Sequence, residues 1–270
     1  MNEIRKDYLL DRWVIIASER AKRPEDFVIE ERKIQKARCP FCPGQMDMPI
    51  IYKVGEGEGW RIAVIPNKFP AVRADIPLAM ERGFFYRIGA MGFHEVIVET
   101  PEHDSDIELL SLDHLTDLIR VYAERTKLHM SDERIKYVAI FRNRGAVAGE
   151  SISHPHSQLI ALPVIPRLIY REAKRVEEFT REVGVCPFKA IYLREKKEVR
   201  FLFENEDFFV IAPFASIYPA ETWIIAKRHV RTLFELTDKE MESFAEALKK
   251  TIGTLRKMFP GLPYNFAIHQ

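Results

Sequence analysis

The run Asn143-Arg-Gly-Ala-Val-Ala-Gly-Glu-Ser-Ile-Ser-His-Pro-His-Ser-Gln158 holds the densest chemistry in the chain. Gly145 and Gly149 punctuate a loop that leads to Ser151 and then to an extended run ending at Ala161. Alternate side chains of a strand share a face. His154, His156, Gln158 and Ile160 are therefore expected to point one way, and Pro155, Ser157, Leu159 and Ala161 the other. Two imidazoles and an amide then converge beside a loop whose backbone N–H groups can approach a phosphate. A surface strand with two solvated histidines is the competing reading, since most polar side chains only face water. Three polar groups alternating against a small or apolar face, directly after two glycines, argue for a site.

Outward from this run, the cysteines come next. Cys39-Pro-Phe-Cys42-Pro-Gly44 reads as a knuckle in which two thiolates can share one tetrahedral zinc. A redox Cys-x-x-Cys is the competitor, but a redox pair usually opens a helix, and Pro43-Gly44 argues against one. Zinc needs two further ligands, and His103 and His154 are the candidates.

The pattern Asn143-x-Gly-x-x-x-Gly-x-Ser-x-x-His-Pro-His-x-Gln158 resembles the active-site signature of the galactose-1-phosphate uridylyltransferases, a branch of the histidine-triad superfamily. It has eight defined positions in sixteen residues, and the resemblance runs from Arg5 to His269. It implies a structural zinc on Cys39, Cys42, His103 and His154. It implies that Arg20 and Arg23 reach a nucleotide phosphate, within the protomer or across a dimer interface, and that Asn67 contacts the nucleoside. Lys68 departs from the acidic residue that usually follows this asparagine in the uridylyltransferases, which leaves nucleobase and sugar open. A homodimer acting on a nucleotide sugar and a sugar 1-phosphate is the expected state.

Composition sets outer limits. The chain is long enough for one large core or two smaller ones. A net charge of +1 gives no nucleic-acid footprint. No apolar run approaches membrane-spanning length, and Met1-Asn-Glu-Ile-Arg-Lys-Asp lacks a signal-peptide hydrophobic region. Three cysteines, two of them in one knuckle, fit a reducing compartment, so a cytoplasmic location is expected.

Along the chain, residues 8–18 read as a strand pair around a turn at Asp11-Arg12. Trp60 to Pro70 reads as a strand that ends in a turn, and Gly92 to Glu99 and Tyr137 to Phe141 read as strands, with His94 in a structural role. Leu112, Leu115, Leu118, Ile119 and Tyr122 recur at helical spacing, which predicts a helix over 112–129. Leu168 to Val183 reads as a second, charge-rich helix. Strands are expected at 200–203, 208–212 and 221–226. Thr237-Asp-Lys-Glu240 is a capping box that opens a helix carrying Met241, Phe244, Leu248, Ile252 and Leu255 on one face.

The second half echoes the first. Cys186-Pro-Phe-Lys189 matches Cys39-Pro-Phe-Cys42, Glu221 to His229 matches Glu95 to His103, and Tyr264-Asn-Phe-Ala-Ile matches Tyr137-Val-Ala-Ile-Phe. Two copies of one strand–helix unit imply an α+β fold of two histidine-triad-like lobes, mainly antiparallel sheet with packed helices. The catalytic lobe with the zinc site is expected at 1–165 and a degenerate lobe at 166–270. Lys189 replaces the second cysteine, so a second zinc site would lack ligands. Gln270 falls opposite Asn143, before any counterpart of the His-Pro-His segment, so the second lobe is expected to lack its last strand, whether the chain is a short relative or truncated. Glu172 and His269 match positions that hold a second metal in some relatives, but an intact second site is not expected here.

The resemblance implies double-displacement nucleotidyl transfer. His156 attacks the α-phosphorus and Gln158 donates to a phosphoryl oxygen. Ser151 bonds the bridging or leaving-group oxygen, Gly145 and Gly149 admit backbone donors, and Asn143 fixes a phosphate or ribose. The leading reading is a UDP-glucose:hexose-1-phosphate uridylyltransferase. An ADP-glucose phosphorylase of the same fold is the first alternative, because Ser157 and Lys68 fit that branch about as well. A nucleotide- or zinc-binding module without catalysis is the second.

Overall fold

The computed structural model describes residues 3–7, 9, 10, 13–16, 39–57, 59–81, 84, 85 and 87–270. In chain order the elements are β1 (Glu3–Lys6), β2 (Trp13–Ile16), β3 (Tyr52–Val54), β4 (Ile62–Pro66), β5 (Met80–Glu81), β6 (Arg87–Ile88), β7 (Phe93–Val98), α1 (Leu112–Met130), β8 (Tyr137–Arg144), β9 (His156–Leu162), α2 (Arg167–Val183), α3 (Pro187–Glu195), β10 (Phe201–Glu204), β11 (Phe208–Ile211), β12 (Trp223–Ala226), α4 (Asp238–Met258) and β13 (Tyr264–Ile268).

Strand alternation separates the two faces of the main sheet. This sheet has six strands in the order β13-β8-β9-β7-β4-β3, every adjacent pair antiparallel. Ile62, Val64, Ile97, Val138, Ile140, Leu159 and Ala161 are fully or nearly fully buried on one face. They form one core with Leu115, Leu118, Ile119 and Tyr122 of α1 and Met241, Ala245, Leu248 and Ile252 of α4. Each fully buried Val, Leu, Ile or Met side chain among them contributes roughly 1.5–3 kcal/mol. The opposite face carries the candidate site residues. There Val98 lies opposite His156, and both Val96 and Phe141 lie opposite Gln158.

The repeat is visible as a local two-fold. Ser111 caps α1 and Thr237 caps α4, each accepting a backbone N–H of the first turn. The repeat equates Tyr137 with Tyr264, hence Ile140 with Ala267 and Phe141 with Ile268. In the β8–β13 pair Ile140 faces Ile268 and Phe141 faces Ala267, so equivalent residues exchange places across the pair. The remaining three-stranded sheet, β10-β11-β12, packs Phe209 and Ile211 against Ile191 in a separate cluster.

The structure departs from expectation in three places. The first hairpin pairs residues 3–6 with 13–16, earlier than expected, because Asp7 accepts the N–H groups of Leu9 and Leu10 at 2.8 and 2.9 Å and ends β1 in a turn. Cys186-Pro-Phe-Lys189, which matches the knuckle in sequence, opens a helix that was not anticipated from the sequence. Cys186 is the N-cap of α3 and Pro187 its first residue, where a missing N–H costs nothing. The short pairs β3 and β5–β6 were not anticipated, being too brief to show a period.

Candidate active site and metal-binding cluster

The knuckle turns because Gly44 adopts φ 76°, a left-handed conformation open to glycine. Cys42 N–H donates to Cys39 O at 3.2 Å, and Phe41 N–H donates to Cys39 Sγ at 3.4 Å. His103 lies beyond the end of β7 and His154 just before β9. The antiparallel pairing of these strands, continued by Glu99 N–H donating to Pro155 O at 3.1 Å, brings the two histidines together. Cys39, Cys42, His103 and His154 are all buried, and their ligand atoms lie within 4.8 Å of one another. His154 Nε2–H donates to Thr100 O at 2.7 Å, which turns Nδ1 toward the sulfurs. The Nδ1–Sγ separations are 3.6 Å from His154 to each cysteine and 3.5 Å from His103 to Cys42. The cluster can hold one metal ion.

His156 follows on the same strand face. Its Nδ1–H donates to the His154 carbonyl at 2.8 Å, so Nε2 keeps its lone pair. The tilted Phe41 ring lies 5.1 Å from the imidazole, centre to centre. Burial drives the His156 pKa down to about 4 against the pull of the carbonyl bond, with Arg142, His154 and Arg144 adding to the lowering. The ring is neutral at pH 7 and presents one unprotonated nitrogen.

The Gly145–Gly149 loop is held from below by charge. Arg142 is 1% exposed; its Nε donates to both Glu99 oxygens at 3.0 and 2.9 Å, and Nη2 lies 2.9 Å from Asp106. Arg144 donates to Asp106 at 2.8 Å and to Glu150 at 3.1 and 3.2 Å. Glu150 also accepts the Gly145 N–H at 2.7 Å, which closes the loop on itself. Gly145 and Gly149 have φ 90° and 89°, and a Cβ at Gly145 would meet Pro263 at 2.8 Å.

Asn67, Gln158 and His94 meet at the other end of the face. Asn67 Nδ2–H donates to Gln158 Oε1 at 3.4 Å, and His94 Nε2 lies 2.9 Å from the same oxygen. Asn143 accepts from Asn265 Nδ2 at 2.9 Å, and Asn265 also donates to Ala148 O at 3.0 Å. Ser151 is exposed on the loop ahead of β9. Arg20 and Arg23 lie outside the described residues. Lys68 pairs with Asp47 at the surface. His269 Nδ1 lies 2.8 Å from Glu172 Oε2. Asn265 escaped the sequence reading, which took His94 as structural only. Their roles depend on strand register, which residue types do not reveal.

The family model for the N-terminal domain of galactose-1-phosphate uridyl transferase matches residues 1–166. The chain belongs to this family. An ADP-glucose phosphorylase from Arabidopsis thaliana is 33% identical over 277 residues, covering 99% of this chain and 78% of that protein. The galactose-1-phosphate uridylyltransferase of Thermotoga maritima is 31% identical over 261 residues, covering 96% and 77%. A crystal structure of an ADP-glucose phosphorylase from Arabidopsis thaliana with bound ADP-glucose superposes with a TM-score of 0.85 at 30% identity, covering 100% of this chain and 82% of that one. A uridylyltransferase structure gives 0.77 at 32% identity, covering 100% and 80%. The galactose-1-phosphate uridyl transferase match takes in the knuckle, His103, His154 and the whole run from Asn143 to Gln158. Like its relatives, the chain is an enzyme of the nucleotidyl-transfer type. No helix among the described residues is long and apolar enough to cross a membrane.

Proposed function

We propose that the chain transfers a nucleotidyl group from a nucleotide sugar through a covalent intermediate on His156. The observation that carries this reading is the His156 ring itself: neutral, pinned at Nδ1 by the His154 carbonyl, with Nε2 unprotonated. In the first step Nε2 forms a bond to the α-phosphorus and the bond to the sugar-phosphate oxygen breaks, so sugar 1-phosphate leaves. In the second, an acceptor phosphate takes the nucleotidyl group and His156 returns to its neutral form. Gln158 donates to a phosphoryl oxygen, where charge builds up. The Gly145–Gly149 loop supplies backbone donors, and Ser151 bonds the bridging or leaving-group oxygen. Asn143 and Asn67 hold phosphate or ribose and nucleoside, with Arg20 and Arg23 reaching a phosphate. A homodimer is the proposed working form.

We assign the metal as zinc in a structural role. Zinc with Cys and His ligands sits about 2.3 Å from sulfur and 2.0–2.1 Å from nitrogen, which places tetrahedral S and N donors about 3.5 Å apart. The observed Sγ–Nδ1 separations of 3.5 and 3.6 Å match. Four protein donors leave no open position for substrate, so the ion would hold the strand carrying His156 in place.

UDP-glucose:hexose-1-phosphate uridylyltransferase is the first reading of the activity. ADP-glucose phosphorylase is the second, favoured by the TM-score of 0.85 and by Lys68 in place of an acidic residue. Intact-protein mass spectrometry after incubation with UDP-glucose and, separately, ADP-glucose tests both. A uridylyl adduct on His156 supports the first reading and an adenylyl adduct the second. No adduct with either, on metal-loaded protein, would leave a binding module. His156→Ala is expected to lower transfer by about 10⁴-fold or more while zinc content stays at wild-type level. Joint loss of metal and activity would refute the division of labour between His154 and His156.

A further inference from the structure

We infer that His94 is a positioning residue that fixes which end of the Gln158 amide faces the reacting phosphate, a role that rests on the nucleotidyl-transfer reading of this site. In the β7–β9 pair His94 lies opposite Ile160, and Val96 lies opposite Gln158. His94 and Gln158 therefore share the chemical face as diagonal neighbours, within reach of long side chains.

Proton placement follows from one backbone group. Ala71 N–H donates to His94 Nδ1 at 3.0 Å. An amide N–H has no acceptor function, so Nδ1 must carry the lone pair, and the neutral ring holds its proton on Nε2. That Nε2–H points at Gln158 Oε1, 2.9 Å away. A donor requires an acceptor, so the oxygen end of the Gln158 amide faces His94 and its NH2 faces away.

A second, independent constraint agrees. Asn67 Oδ1 accepts the Phe69 N–H at 2.9 Å, which turns the Asn67 NH2 toward Gln158 Oε1 at 3.4 Å. Asn67 Nδ2 also lies 3.1 Å from His94 Nε2. Both nitrogens are donors, and the short separation reflects their convergence on the same oxygen. Among the described residues no acceptor meets the Gln158 NH2, so its two N–H groups are available to a ligand. Burial holds His94 below its ordinary pKa, which keeps the ring in the neutral form that this pattern requires.

The chemical consequence is a choice of sign. A phosphoryl oxygen is an acceptor only. It is stabilised by the Gln158 NH2 and repelled by the Gln158 carbonyl, so an amide free to flip would spend part of its time opposing the reaction. His94, backed by Asn67, removes the wrong orientation. It does so without touching the substrate.

The test combines kinetics with spectroscopy on the metal-loaded protein. Gln158→Ala is expected to lower kcat by about 100- to 1,000-fold, the usual effect of losing one preorganised donor. His94→Phe, which keeps the ring and removes both nitrogens, is expected to lower kcat by about 10- to 100-fold with little change in KM. The double variant should be no slower than Gln158→Ala alone, because His94 acts only through that amide. Losses that multiply in the double variant would overturn the proposal. In the wild-type protein, ¹⁵N-edited imidazole spectra should show His94 as the neutral Nε2–H tautomer; an Nδ1–H tautomer would equally overturn it. The spectra need no turnover, so they decide the assignment even if neither nucleotide sugar forms an adduct and the nucleotidyl-transfer reading itself falls.

Discussion

Arg142 shows how much of the site rests on groups that never meet substrate. Its guanidinium is buried between Glu99 and Asp106, and Asp106 in turn anchors Arg144 beneath the Gly145–Gly149 loop. Removing one partner of a buried pair leaves the others uncompensated and typically costs about 3–5 kcal/mol. Arg142→Ala is expected to lose stability of that order in urea unfolding and to weaken nucleotide-sugar binding, as the loop loses its foundation. A change within 1 kcal/mol would show that water replaces the side chain freely. At this scale the sequence was legible where chemistry depends on residue type and local spacing: Cys39 and Cys42, His154 and His156, Gln158. Asn265 was not legible, since an asparagine in the last strand acquires a role only once β13 lies beside β8. Arg142 and Asp106 were missed for a related reason. A charged side chain is a poor candidate for burial until its partners are in place.

Helices α1 and α4 were readable because a long apolar stripe at 3.6-residue spacing has few alternatives. The capping box of α4 was readable as well. Thr237 Oγ1 accepts the Glu240 N–H at 3.3 Å, and Glu240 accepts the Thr237 N–H at 2.8 Å. Thr237→Ala is expected to cost about 1 kcal/mol and to lower the thermal midpoint by about 2–4 °C. Glu240 adds a pH signature. The Arg228 hydrogen bond, followed by the bonds to Thr237, holds its pKa down to about 2, below the ordinary carboxylate value. A lowered folded-state pKa means that this contribution is complete above pH ~4.5 and is lost as the pH falls from there toward 2. Urea midpoints at pH 7 and pH 3.5 should differ less in Glu240→Gln than in wild type; equal differences would mean that other carboxylates govern the acid limb. Helix α3 marks where reading by element failed. Nine residues give too little periodicity to predict a helix from, and Pro187, which matches Pro40 of the knuckle, is a helix start.

The proposed boundary between the two repeats falls near residue 165, yet the main core is built from both sides of that point. α1 and β8 come from the first stretch, α4 and β13 from the second, and the four join one hydrophobic cluster. β13 also completes the sheet that carries His156 and Gln158, and its Asn265 ties the active loop to that edge. Two lobes joined in this way are expected to unfold as one unit, since neither can expose its share of the core without exposing the other's. Tryptophan reports on both sides. Trp60 packs against the cluster around Cys39 and Cys42, and Trp223 against the cluster around Phe209 and Ile211. In variants that keep one of these two tryptophans and replace the others with phenylalanine, the fluorescence transitions in urea should coincide. Chelation of a metal bound at this cluster should move both to lower urea by the same amount, because an ion bound only to the folded state stabilises everything that unfolds with it. If chelation shifted the Trp60 transition alone, the two stretches would be separate cooperative units, and the metal would stabilise only the lobe that binds it.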